Sequence, residues 1–284
     1  MRLSVGILAL AMALAGCAGG RPSVVAPTAP APAAQALAIA GYDGAIEPIA
    51  APIDLVYAPA RFHSTVTIGV EGGSGGAART NSLAAFLDGA LTAEGDRVRG
   101  RIVTERIEVD GAPSQGSVPL LIQDVLLDRK GRQLELSSRW PNADATQPLS
   151  ERYRALEQRW RERLPVLAAA PVTAGGVVYE ETGLLMPMRQ MLQNRSFELR
   201  PVKPLRAVAV GLTACGARRC IIARHEGEAE LAAQRGTLHV TAGGHVLLDV
   251  ATGLIVSELA TVTLDSPGGN ARLVMTIRTS TDLT

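Results

Sequence analysis

The stretch GTLHVTAGGHVLLDV (236–250), followed by Ala260-Thr261-Val262-Thr263-Leu264, decides how this chain is read. Leu238 and Val240 alternate with Thr237, His239 and Thr241, and Ala260, Val262 and Leu264 alternate with Thr261 and Thr263. A period of two is the mark of a strand with one buried face. Val246 to Val250 is a short apolar run that His245 opens after Gly243-Gly244, and Asp249 to Gly253 contains a turn. Ser266-Pro267-Gly268-Gly269-Asn270 is a dense turn cluster, beyond which Leu273, Met275 and Ile277 mark the buried face of a closing strand. From Arg206 onward the chain therefore reads as a meander of antiparallel strands.

The same periodicity extends toward the N-terminus. Val66, Ile68 and Val70 alternate within 64–70, before the glycine-rich Gly72-Gly73-Ser74-Gly75-Gly76. In 82–91, Leu83, Phe86, Leu87 and Leu91 fit a short helix, whereas Asp88-Gly89 and the β context favour a strand. Arg97 to Val109 is a strand whose alternation changes phase at Ile102-Val103, which suggests a bulge, and Asp110-Gly111 ends it with turn chemistry. Residues 120–127 and 133–138 form a hairpin around Asp128-Arg129-Lys130-Gly131.

One helix stands out. Ser150 is a good N-cap, and Tyr153, Leu156, Trp160 and Leu164 recur at helical spacing until Pro165 stops the run. A second short helix over 184–192 is interrupted by Pro187. The expected fold is mainly β (α+β): a curved antiparallel sheet or half-barrel with one principal helix, 150–164, packed on it. Val125-Leu126-Leu127-Asp128 and Val246-Leu247-Leu248-Asp249 echo one another, each followed by a Gly and a Ser. The echo suggests two related halves, 61–145 and 201–284, around the central helix, within a single β-rich domain spanning 61–284.

The chain has 284 residues, with 28 Lys and Arg against 27 Asp and Glu. Such balance gives no electrostatic case for nucleic acid, and 3% aromatic residues argue against a base- or sugar-stacking platform. Lys130 and Lys203 are the only lysines, so nearly all positive charge is Arg.

The N-terminus carries an address. Arg2 precedes an apolar run, Leu3 to Leu14, too short for the roughly 20 residues of a spanning helix. Leu14-Ala15-Gly16-Cys17 follows, and this arrangement resembles the lipobox of bacterial lipoproteins. The resemblance covers the first 17 residues. It implies a signal peptide over 1–16, a diacylglyceryl thioether on Cys17, and stable anchoring by several acyl chains. Ala18 in place of Asp favours the outer membrane, with the body facing the periplasm. Residues 17–60 form an Ala- and Pro-rich tether that favours extended backbone. Within it, Ile46, Ile49, Ile53, Leu55 and Val56 give 41–60 the means to dock partly on the domain.

A periplasmic address makes pairing the default state of Cys215 and Cys220. Val208, Val210, Leu212 and Ala214 alternate into a hairpin whose return strand begins with Ile221 and Ala223. Gly216 to Arg219 is then a four-residue loop, with the two cysteines facing each other on the more polar side. Cys215 and Cys220 lack the spacing of a redox or metal motif.

Gly72-Gly73-Ser74-Gly75-Gly76 satisfies the nucleophile-elbow pattern, with His225, His239 or His245 as the base on paper. However, no strand–helix–strand repeat accompanies it. His239 and His245, with Asp249 close by, match no zinc spacing, and the two histidines read as surface residues. No cofactor motif and no metal site is expected. In architecture the body resembles periplasmic lipoprotein-carrier-like β domains, in which a curved sheet and a helix enclose an apolar groove. That resemblance implies a non-enzymatic, outer-membrane-anchored lipoprotein binding a lipid or other hydrophobic ligand between the sheet and the Tyr153, Leu156, Trp160, Leu164 stripe. The alternatives are a structural or assembly factor that binds another envelope protein through a sheet edge, and a serine hydrolase using Ser74.

Overall fold

A computed structural model describes residues 42–73, 79–113, 121–140, 164–180, 198–233, 236–265 and 272–284. The strands are β1 (Ala60–Gly73), β2 (Arg79–Glu94), β3 (Arg97–Val109), β4 (Ala112–Pro113), β5 (Leu121–Asp128), β6 (Gln133–Arg139), β7 (Val177–Glu180), β8 (Glu198–Cys215), β9 (Arg218–Ala233), β10 (Gly236–Asp249), β11 (Ile255–Asp265) and β12 (Arg272–Leu283). They form one open antiparallel sheet in the order β6-β5-β3-β2-β1-β12-β11-β10-β9-β8-β7, with β4 paired only to β3. Two meanders thus meet where the first strand pairs with the last, from Phe62 opposite Leu283 to Gly73 opposite Arg272.

Alternation builds one continuous apolar face. Phe62 and Val66 of β1, Ala85, Leu87 and Leu91 of β2, Met275 and Ile277 of β12, and Ala260, Val262 and Leu264 of β11 are all buried on it. Phe62 lies opposite Gly89, and its ring fills the space a Cβ there would occupy. The ambiguous stretch 82–91 is therefore strand, set by its partners rather than by its own periodicity.

The sheet bends sharply around this face. Tyr57 N donates to Arg129 O (2.8 Å) in the β5–β6 turn, and the next amide, Ala58 N, donates to Thr252 O (3.2 Å) in the β10–β11 turn. Six strand spacings separate β5 from β10, roughly 29 Å across a flat sheet. Only strong curvature brings both turns onto adjacent residues. Leu55, Tyr57, Leu167 and Val172 belong to the same core cluster as the sheet face, so that face is the concave one and these residues fill its lower end.

The expected docking of 41–60 is seen from Tyr42 onward. Tyr42 and Ile46 pack on the outer face with Cys220, Ile222 and Leu247. Glu47 exchanges two backbone hydrogen bonds with Leu212, and Ile53 exchanges two with Val172. Beyond the end of β7, Gly175, Gly176 and Glu47 continue the cover along β8, which protects an otherwise open edge.

Several sequence expectations need correction. The β3 phase change lies at Glu105, not Ile102-Val103: Phe86 pairs Arg106 while Leu87 pairs Thr104, leaving Glu105 as the extra residue. In β8 the faces switch at an irregularity between Ala209 and Gly211, so Val210 faces outward and Leu212 inward. Gly243-Gly244 does not separate two strands, since β10 runs through both. The β8–β9 loop has two residues, Gly216-Ala217, because Gly216 adopts φ +63° and permits a tight turn. Cys220 therefore faces Thr213, and the disulfide to Cys215 is diagonal, with Cα atoms 6.0 Å apart. Its surroundings are apolar, not polar.

Among the described residues there is no helix. The expected helices over 150–164 and 184–192 lie outside them, apart from Leu164, which packs against the concave core. Ser74 and Cys17 also lie outside.

The disulfide closes a short loop, so its loss is expected to cost about 2 kcal/mol through chain entropy alone. Urea unfolding of Cys215→Ser/Cys220→Ser should show a lower midpoint. An unchanged midpoint would mean that hairpin packing already fixes the ends.

Candidate functional site

The concave face carries a polar belt at mid-height. Its members follow the parity of the apolar residues around them. Glu258 precedes Ala260, Val262 and Leu264 on β11. Thr279 and Thr281 follow Met275 and Ile277 on β12, and Ser64 precedes Val66 on β1. His225 follows Ile221 and Ala223 on β9. All except Glu258 are below one-tenth exposed as residues, and the Glu258 side chain is 10% exposed. The Ser64 and Thr281 hydroxyls hydrogen-bond to each other across β1 and β12. Thr279 Oγ1 donates to Glu258 Oε2 at 3.0 Å.

His225 Nε2 lies 3.1 Å from Glu258 Oε1, with the His side chain 1% exposed. The two residues sit on β9 and β11, two strands apart, so their side chains meet over β10. The contact is diagonal: the β9–β10 register, with Ala242 opposite Gly227 and His245 opposite Arg224, sets Gly244 beside His225, whereas Glu258 pairs with Val246. Gly244 presents no side chain to obstruct the contact. The Tyr179 ring, fully buried, stands edge-on to the His225 ring with centroids 6.2 Å apart. Neither ring nitrogen of His225 has a well-aligned hydrogen-bond partner. Proximity between His225 and Glu258 is therefore an ion-pair distance rather than a directed hydrogen bond.

From this belt toward the upper end, the face is apolar. Ile68, Val70, Leu238, Ala242 and Leu273 are only partly buried there, although they pack on the core. At the lower end, Tyr57 and Leu55 are almost fully covered. The convex face differs. It carries cross-strand ion pairs such as Lys203–Glu228 and Arg206–Glu226–Arg224. The hydrogen bond from Arg206, helped by Arg224, holds the Glu226 carboxyl below its ordinary range. An open groove on that side is lined by Thr241, Gly243, Leu259, Thr261 and Thr263, without a titratable group.

The residues singled out from sequence are dispersed. His239 is exposed, as expected, but His245 is buried, with the Tyr42 ring edge-on at 5.4 Å; docking of 42–47 covers it. Cys215 and Cys220 form their disulfide away from the concave face. Of the proposed groove stripe, Tyr153, Leu156 and Trp160 lie outside the described residues, and Leu164 lies on the concave core. Among the described residues, no three His, Cys, Asp or Glu side chains gather where they could hold a metal ion. Glu258, Thr279 and Tyr179 were not singled out from sequence. Continuing the alternation of 260–264 and 273–277 past its apolar members would have placed Glu258 and Thr279 inward.

No protein-family model matches the chain, and the curated proteins contain no match. Among solved structures, one described as "Asymmetric conductivity of engineered proteins" is similar at 8% identity, over 78% of this chain and 99% of that one, with a TM-score of 0.26. A DUF1329 family protein from Desulfovibrio piger is similar at 10% identity, over 78% of this chain and 85% of that one, with a TM-score of 0.21. Likenesses this distant carry no argument about function.

Proposed function

We propose that this chain is a non-enzymatic lipoprotein, held through Cys17 in the outer membrane and facing the periplasm, whose half-barrel binds a lipid or other hydrophobic molecule on its concave face. The observation that carries this reading is the set of incompletely buried apolar residues on the upper part of that face. Leu55, Tyr57 and Leu167 are buried at the lower end, and Ile68, Val70, Leu238 and Leu273 remain incompletely buried beside the fully buried Val240, Val262 and Met275. A contiguous apolar surface with a few convergent polar groups is the usual composition of a ligand site.

Cys17→Ser in the full chain removes the acyl chains that would compete for the face. This protein should bind the neutral probe N-phenyl-1-naphthylamine with enhanced fluorescence. Val70→Trp, which fills the upper row, should lower that binding at least tenfold at an unchanged unfolding midpoint. Equal binding by both proteins would overturn the reading.

A second reading rests on β6, the outermost strand of the described sheet, where Leu134 is 45% exposed. An extended segment of another envelope protein could add to that edge. Crosslinking from β6 to one specific partner would favour it.

A further inference from the structure

We infer that the ligand of the concave face is a long-chain amphiphile whose head donates a hydrogen bond and carries no negative charge, and that His225, Glu258 and Thr279 receive that head. The inference rests on the hydrophobic-ligand reading above and names the class of ligand.

The first ground is the state of His225. Its side chain is 1% exposed, and Nδ1 has no hydrogen-bond partner. A buried polar atom left unpaired costs about 1–3 kcal/mol, and most such atoms in folded proteins are paired. The orphan nitrogen belongs to a polar belt between apolar rows, a place where a Leu or Met would pack without that cost. A ligand group that meets Nδ1 removes the penalty.

The second ground is charge. Glu258 Oε2 is occupied by the Thr279 hydroxyl, while Oε1 faces the imidazole without an aligned donor. A hydroxyl or amine can donate to Oε1 and lie against the ring. A carboxylate or phosphate head would meet Glu258 as a like charge in a water-poor setting, where repulsion is strong. The arginines that flank the belt, Arg206 on β8, Arg224 on β9 and Arg278 on β12, stand on the opposite parity from it, and Arg206 and Arg224 are paired with Glu226 on the convex side.

The third ground is length. From His225 to Leu231, β9 rises about 20 Å, and over that height the incompletely buried apolar residues of the face are Ala242 and Leu238 on β10, Leu273 on β12, and Ile68 and Val70 on β1. A head at the belt thus places a long acyl chain along apolar rows toward the incompletely buried end.

The test uses the full chain carrying Cys17→Ser, with 1-monooleoylglycerol, oleylamine and oleate offered separately at equal concentration and binding read by native mass spectrometry. Monooleoylglycerol and oleylamine should each bind at least tenfold more tightly than oleate. In Glu258→Gln the preference should fall below threefold, because oleate gains. In the unsubstituted site, the His225 imidazole NMR signals should shift on adding monooleoylglycerol, a readout that does not depend on any variant folding. Oleate binding as tightly as the other two overturns the inference while leaving the carrier reading intact, and so does binding that leaves the imidazole signals unmoved. Failure of all three to bind overturns both.

Discussion

Tyr57→Ala is expected to lower the unfolding free energy by about 3–5 kcal/mol, the range for a large aromatic removed from a packed interior. Tyr57 is fully buried, and its hydroxyl donates to Pro165 O at 2.9 Å. Its ring occupies the space over Gly131, where even a Cβ would overlap it. Its amide holds the β5–β6 turn while the next amide holds the β10–β11 turn. Truncation therefore leaves a cavity at the point where the two meanders are tied together across the bend. Tyr57→Phe keeps the ring and gives up one hydrogen bond, so about 1 kcal/mol is expected. Urea unfolding of both variants checks the pair. A loss below about 1.5 kcal/mol for the Ala variant would show that the lower end collapses around the gap, and that the tie between the turns is not needed to hold the curvature.

The turns that Tyr57 and Ala58 join are the two that echo each other in sequence. In both, the ladder shifts register at the Leu-Leu pair, between Leu126 and Leu127 and between Leu247 and Leu248. In both, the following Asp organises the turn. Asp128 Oδ1 accepts from Lys130 N and Arg132 N, and the buried Asp249 Oδ2 accepts from Thr252 N and Oγ1. Gly131 and Gly253 then take positive φ, +88° and +69°. A bulge strengthens local twist. Two bulged hairpins at the same end of the sheet therefore bend it toward the segment that both clasp.

Much of this β architecture is legible because strands such as β3 and β12 alternate buried residues with more exposed ones. The limits of legibility have physical causes. Alternation marks a buried face only while its inward members are apolar. Glu258, Thr279, Thr281 and Ser64 keep the inward parity but are polar, so they looked like strand ends. The phase changes at Glu105 and near Val210 depend on partner strands that one segment cannot reveal. Tyr179 lies in a four-residue strand, Val177–Glu180, too short to show a period and defined by its pairing to β8. The disulfide was recognised, but its diagonal geometry follows from the tight Gly216-Ala217 turn rather than from the spacing of the cysteines.

The pair Gly243-Gly244 in the middle of β10 offers the sharpest test of register. Gly244→Ala is expected to destabilise by about 3–5 kcal/mol, combining backbone strain with steric overlap. Gly244 has φ +117°, a region that residues with a Cβ rarely adopt, and an added Cβ would overlap the Leu259 carbonyl oxygen on the neighbouring strand. That obstacle is backbone, which cannot swing aside as a side chain would. Gly243→Ala is expected to act in the opposite direction. Its φ is ordinary, nothing lies within 4 Å of the added Cβ, and a strand Gly replaced by Ala gains roughly 0.5–1 kcal/mol from a less flexible unfolded chain. Adjacent, chemically identical substitutions should thus move the unfolding midpoint to opposite sides of the parent. The asymmetry also bears on the belt. Gly244 lies beside His225 on the inner face of β10, so Gly244→Ala should disturb the His225–Glu258 pair as well as weaken the fold. Equal effects at both positions would mean that β10 does not run continuously through them in the register described, and the contact across it would lose its basis.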